Sequence, residues 1–188
     1  VLIPTFAWTG RELGDVIVNR LKTLLGIFVA ASLYFVIIFN LTNFYSAAKS
    51  DGIQSFLLFG DNSYSSAFWI GQILIGGILP LAIAFYPKFK ARGALIVASV
   101  MVVIGGLSQM YVTIIGGQAY PMDMFPGKIV ESITNDGGIA AYSPTIYEIL
   151  LGVAGIGITL FLVVFAMNVL RIVPESLADK DVDPHHSS

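Results

Sequence analysis

Residues Tyr147–Leu170 read YEILLGVAGIGITLFLVVFAMNVL, and Glu148 is the single charged residue in the stretch. A helix needs about 20 largely apolar residues to cross the hydrocarbon core of a bilayer. A run this apolar leaves almost no polar face for water. Three more stretches have the same character: Thr23–Phe44 (TLLGIFVAASLYFVIIFNLTNF), Ala67–Tyr86 (AFWIGQILIGGILPLAIAFY) and Ala94–Gln118. The whole chain of 188 residues is 56% hydrophobic and 12% charged, against about a quarter charged in soluble domains. The pattern predicts an all-α integral membrane protein, a bundle of four transmembrane helices. Pro80 falls inside the second span; neighbouring helices can satisfy the carbonyl it frees.

The basic residues orient the spans. Four crossings place both termini and the loop between the second and third spans on one side. That side holds Arg11, Arg20, Lys22, Lys88, Lys90, Arg92, Arg171 and Lys180, and the other only Lys49 and Lys128. The positive-inside rule makes the richer side cytoplasmic. The loops at 45–66 and 119–146 then face outwards. Trp69, Tyr45, Tyr64, Tyr120, Tyr142 and Tyr147 gather near that outer boundary, as an aromatic belt does. The expected organisation is a segment at 1–22, the four-helix bundle at 23–170 and a cytoplasmic tail at 171–188. In the first segment Leu13, Val16, Ile17, Leu21 and Leu24 recur at helical spacing opposite Arg11, Asp15, Asn19 and Lys22. That pattern fits an amphipathic helix on the cytoplasmic face, and a linker from a preceding span fits equally. The chain starts at Val1 without a signal-peptide pattern, so a processed product and a portion of a longer chain both remain open.

Several chemistries are excluded for this chain. A net charge of −2 supplies no basic field for nucleic acid. Without cysteine the chain alone holds no disulfide, thiolate metal site or cysteine-ligated iron–sulfur cluster. Its two histidines, His185 and His186, lie in a polar tail, so no haem is held between histidines inside the membrane. Asp51, Asp61, Asp123 and Asp136 are scattered loop carboxylates, and no metal constellation is present.

Polar residues inside spans are costly and mark functional candidates. Here they are one-sided. Asn40 and Asn43 end the first span, Gln72 begins the second, and Ser108, Gln109 and Thr113 occupy the outer half of the third. Gln118 stands at the third span's exit and Glu148 at the start of the fourth. In a compact bundle these groups meet at the outer end. They suit helix–helix hydrogen bonding, worth about 0.6–2 kcal/mol each. They equally suit a quinone headgroup, whose two carbonyls accept hydrogen bonds and whose reduction takes up two protons. Glu148 is the proton-handling candidate, or else a first-turn residue favoured by the helix dipole after Ser143-Pro144-Thr145 as turn and cap.

The third span leaves the membrane through GGQAYPMDMFPG, residues 116–127. Paired glycines at a helix end permit a left-handed exit, and Pro121 and Pro126 forbid further helix. The expected product is an ordered outer loop in which Tyr120, Met122, Asp123, Met124 and Phe125 offer a surface to another protein.

GGQAYPMDMFPG, DGGIAAYSPTIYEILLGVAGIG and LRIVPESLAD, with NLTNFY and FWIGQILIGGILPL, resemble the NrfD/PsrC family of polysulfide-reductase-type membrane subunits, its DsrP- and HybB-type members above all. The likeness runs from about Leu21 to Asp179 and matches the C-terminal half of a subunit that usually has eight or more spans. It implies a haem-free membrane subunit that exchanges electrons between the quinone pool, menaquinone or ubiquinone, and an outward-facing ferredoxin-like iron–sulfur subunit. Other redox subunits in one complex and a place in the cytoplasmic membrane are implied with it. Some relatives carry histidine just before LTN, where this chain has Asn40. The family's best-defined quinone site belongs to the N-terminal half, which leaves this half as a quinone site at Asn40, Asn43, Gln72, Gln109, Thr113 and Gln118, as a proton path, or as scaffolding. A purely structural assembly module and a transporter or channel are the other classes.

Overall fold

The computed structural model describes residues 3, 6–7, 10–46, 49–86, 92–121, 138–170 and 174–182. Four helices are long and apolar enough to cross a membrane. They are α1 (Asp15–Tyr45), α3 (Ser63–Phe85), α4 (Arg92–Ala119) and α5 (Ile146–Leu170). Between α1 and α3 runs a turn at Ser50–Gln54, kinked at Gly52, and the short helix α2 (Ser55–Phe59). A last short helix, α6, covers Asp179–Val182. Helix α1 runs without a break across Lys22 and Thr23, so one element carries both the end of the amphipathic segment and the first span.

The chain forms two compact units, Val1–Ile17 with Tyr142–Ser188, and Val18–Ala141. In the second, α1 and α3 are antiparallel: Gly26 lies against Ala84 and Phe85, and Leu33 against Gly77. Helix α4 returns along α3, with Gly71 against Ser108 and Gly76 against Gly105. A Cβ on Gly76 or Gly105 would overlap the other's Cα, so this close crossing depends on both glycines, as small-residue packing between membrane helices does. The core of this unit, Leu58, Phe68 and Val112, lies under α2, with Val36, Phe44, Ile73 and Tyr111 packed round it.

Two stretches of wide, π-type helix interrupt the regular turns: Ala67–Ile78 in α3 and Tyr111–Gly116 in α4. The first runs up to Pro80. Leu79 donates to the carbonyl of Leu74, five residues back. Proline has no N–H and crowds the preceding turn, and the widened winding lies directly before it in α3.

Three sequence expectations change. The stretch 45–66 is mostly helical turns rather than open loop. Gly116 and Gly117 keep right-handed helical angles, φ −61° and −64°, and the chain leaves the helix at Tyr120, with φ −79° and ψ 131°. Gly116 is instead a contact position, because Leu57 and Tyr64 fill the space a Cβ would need. Tyr64, expected at a lipid boundary, is buried and stacks on Tyr111 at 5.2 Å.

In the first unit, Leu13 and Leu177 pair as a parallel bridge. Gly14 N–H donates to the Leu177 carbonyl at 2.7 Å, and Leu177 N–H to the Glu12 carbonyl at 3.0 Å. The Asp179 carboxylate accepts from Asp15 N–H at 3.3 Å and Val16 N–H at 3.0 Å. These are first-turn donors of α1 that the helix itself leaves unsatisfied. Helix α5 buries none of its residues within this unit.

Candidate functional site, an amide-lined cavity under a helical cover

A cavity of about 640 Å³ lies in the second unit. Helix α1 gives it one face: Ser32, Phe35, Val36, Phe39, Asn40 and Asn43. These recur three and four residues apart, the spacing that keeps side chains on one side of a helix. Helix α3 adds Phe68 and Gln72, and α4 adds Gln109, Val112, Thr113 and Gly117. Lys49, Ile53, Gln54, Leu57 and Leu58 close it from a cover made by residues 49–59, the turn at Ser50–Gln54 and α2. Phe68, Gln72, Val112 and Thr113 all sit in the two wide-wound stretches; such windings recur at functional positions.

The helix contacts set the depth of each polar group. Gln72 stands five positions from Gly77 toward the cover, and Asn40 seven from Leu33 in the same direction. The antiparallel contact of Gly71 with Ser108 puts Gln109 about two residues, ~3 Å, nearer the cover than Gln72. Asn40, Gln72 and Gln109 thus lie within about one helical turn of depth and form one polar tier, with Asn43 and Thr113 a turn nearer the cover on their own helices and Lys49 at the rim. Below the tier the wall turns apolar through Val36 and Phe35, with Ser32 at its foot. Eleven residues separate Asn43 from Ser32, so at 1.5 Å per residue the cavity follows α1 for about 16 Å.

The amides differ in what they are bonded to. The Asn40 side chain is bonded at both ends: its Nδ2 donates to the Val36 carbonyl at 2.8 Å, and its Oδ1 accepts from Gln54 Nε2 at 2.5 Å. This amide pair ties the cover to α1. Gln54 is 4% exposed and Gln72 8%. Among the described residues nothing hydrogen-bonds the Gln72 side chain. Every side-chain nitrogen or oxygen there that is wholly shut off has a partner, so the Gln72 amide is reached from the cavity. Gln109 and Thr113 are exposed, and among the described residues their side chains too have no partner. At the rim Lys49 Nζ donates to Asn43 Oδ1 at 3.4 Å.

The cover is held firmly. Asn62 caps the start of α3, accepting from Ser65 N–H at 2.9 Å, while its Nδ2 donates to the Phe56 carbonyl at 2.8 Å. The Leu58 carbonyl accepts from Ser65 Oγ at 2.7 Å and from Trp69 Nε1 at 2.8 Å. Phe56 packs between Tyr64 and Tyr120, with ring centroids at 5.7 and 5.5 Å.

Of the residues expected from sequence, Asn40, Asn43, Gln72, Gln109 and Thr113 share this cavity. Gln118 is exposed, and its neighbour Gly117 lines the wall. Glu148 belongs to the other unit. There its carboxylate accepts from Thr145 N–H at 2.7 Å and from Tyr142 O–H at 3.1 Å, and its own N–H reaches Thr145 Oγ1 at 3.4 Å. Threonine and glutamate three apart, bonded reciprocally, form a capping box for α5. Tyr120 is half-buried against the cover; Met122, Asp123, Met124 and Phe125 lie outside the described residues. Sequence reasoning missed Gln54 and Lys49 because both fall in a stretch read as open loop. A weak signal existed: Ile53 and Leu57 stand four apart in DGIQSFLLF, the helical spacing of one buried face.

Residues 1–122 match the family described as polysulphide reductase, NrfD. The Hdr-like menaquinol oxidoreductase integral membrane subunit of Archaeoglobus fulgidus is 24% identical over 182 residues, which is 95% of this chain and 46% of that protein. A selenate reductase subunit of Mesobacillus selenatarsenatis is 30% identical over 188 residues, 99% of this chain and 42% of its own length. The chain thus spans under half the length of these curated relatives. No solved structure matches it. Four membrane-length helices and a family match over more than half of its residues agree: the chain is an integral membrane protein that belongs to the NrfD polysulphide reductase family.

Proposed function

We propose that this chain is a quinone-handling, haem-free part of a multi-subunit membrane oxidoreductase, and that the cavity beside Gln72 receives the quinone. Gln72 carries this reading: the residue is buried, and its amide opens onto a largely apolar cavity without a partner among the described residues. An amide that opens onto the cavity can bond a ligand oxygen, a hydrogen bond worth about 1 kcal/mol net. The residues fit the group: Gln72, Gln109 and Thr113 offer donors to carbonyl oxygens, and Phe35, Val36 and Phe39 offer an apolar bed for an isoprenoid tail. The quinone supplies a two-electron, two-proton couple; the chain's own part is to orient the ring and exclude water. The Archaeoglobus relative is a menaquinol oxidoreductase subunit by name, which favours menaquinone over ubiquinone. In this reading electrons pass to or from a ferredoxin-like iron–sulfur subunit docked outside on Tyr120 and the 122–125 segment. Both termini face the cytoplasm from the inner membrane.

The test is Gln72→Leu in the complete complex. KM for a short-chain quinone is expected to rise about tenfold, the equivalent of 1.4 kcal/mol of lost hydrogen bonding, with subunit assembly intact. An unchanged KM would remove the quinone from this cavity and leave it as a proton path or scaffolding. The capping box at Glu148 favours a structural over a proton-handling role for that residue, and quinone turnover in Glu148→Gln separates the two.

A further inference from the structure

We infer that Lys49 is the residue that makes this cavity prefer the oxidised quinone to the reduced quinol. The inference rests on the reading of the cavity as a quinone site. Lys49 is the single titratable residue among the described residues that line the wall. It stands at the rim, tied to Asn43. Asp51, two positions on, is exposed and is not part of the wall.

The discrimination follows from what each group can do. An ammonium has three donors and no acceptor, whereas an amide offers both. A quinone oxygen is a carbonyl acceptor; a quinol oxygen carries its own O–H and accepts less well. Gln72 and Gln109 serve either form by presenting amide oxygen or amide nitrogen, so the amide tier is indifferent to redox state. Lys49 is not: its charge-assisted bond to a carbonyl is roughly twice as strong as a neutral one, and it cannot take the quinol's proton as an acceptor while it remains charged. A quinone ring held this way would have its head between the amide tier and the rim, with Lys49 as the donor to one oxygen and Phe39 and Phe35 as the bed for its tail.

The experiment is anaerobic calorimetric titration of the complete complex. A short-chain naphthoquinone is added to the fully oxidised complex and its quinol to the dithionite-reduced complex, so that neither ligand turns over. The native complex is expected to bind the quinone about three- to tenfold more tightly, the span of a partly solvated charged hydrogen bond. Lys49→Met is expected to bring the ratio to about one, mostly through weaker quinone binding, and Lys49→Arg to restore it. A ratio unchanged in Lys49→Met, while Gln72→Leu still weakens both ligands, overturns the assignment of Lys49 and leaves the cavity reading standing. If Gln72→Leu weakens neither ligand, the cavity reading falls and this inference with it.

Discussion

Gln72 and Asn40 line the same cavity and carry the same functional group, yet they should respond to substitution in opposite ways. Asn40 is bonded at both ends, to the Val36 carbonyl and to Gln54. Asn40→Ala strands the Gln54 amide, which is 4% exposed, and should destabilise the cover by about 1 kcal/mol, near the middle of measured values for polar bonds between membrane helices. Gln72 has no bond to lose, so Gln72→Leu should leave stability unchanged or raise it by up to about 1 kcal/mol even as ligand binding weakens. Detergent-solubilised thermal unfolding of the two variants decides this. Equal destabilisation by both would mean that Gln72 is as structural as Asn40. Sequence alone ranks the two alike, since each is an amide near a span end. Only the geometry separates a bonded amide from a free one.

Among the elements, α3 and α4 owe their close approach to Gly76 and Gly105. Gly105→Leu inserts four carbons where a backbone already lies, and should cost at least about 3 kcal/mol or prevent assembly. Gly106→Ala, one residue on in open space, should be neutral. Blue-native gel mobility and yield of the two variants provide the comparison. At the head of α5, Thr145→Ala removes half of the capping box and should cost about 1 kcal/mol of helix stability. The four spans were legible because each is a long apolar run, with ends that differ from expectation by a few residues except at the start of α1, which begins eight residues before Thr23. The cover was not legible. Its turns are short and its polar and apolar residues mixed, and it is held by bonds to distant partners such as Asn40, Asn62 and Trp69. The wide-wound stretches were equally hidden, because Pro80 announces a disturbance in α3 but not that the wide winding lies on the Gln72 side of it. The left-handed exit expected at Gly116 failed for a related reason. Glycine is chosen there for what packs on it, Leu57 and Tyr64, rather than for backbone freedom.

For the molecule as a whole, the distribution of basic residues makes a topological statement that chemistry can check. The chain has no cysteine, so single replacements label cleanly. Lys90→Cys should react with a membrane-impermeant maleimide only in inverted vesicles, and Asp123→Cys only in right-side-out cells; the reverse pattern would place the proposed redox partner on the wrong face. The pairing of 12–14 with 177–179 joins distant parts of the sequence. Asp179→Ala should therefore speed amide exchange at Asp15 and Val16 at the start of α1, not only near residue 179. One bond in the cover also has a practical use. Trp69, one of two tryptophans in the sequence beside Trp8, donates its indole N–H to the carbonyl of Leu58, whose side chain lines the cavity. In a Trp8→Phe background the fluorophore sits one residue from Phe68 on the cavity wall and is clamped to the segment that roofs it. Quinones quench indole emission at short range, so filling of the cavity should dim the protein's own fluorescence, and a shift in emission colour should accompany any loosening of the roof.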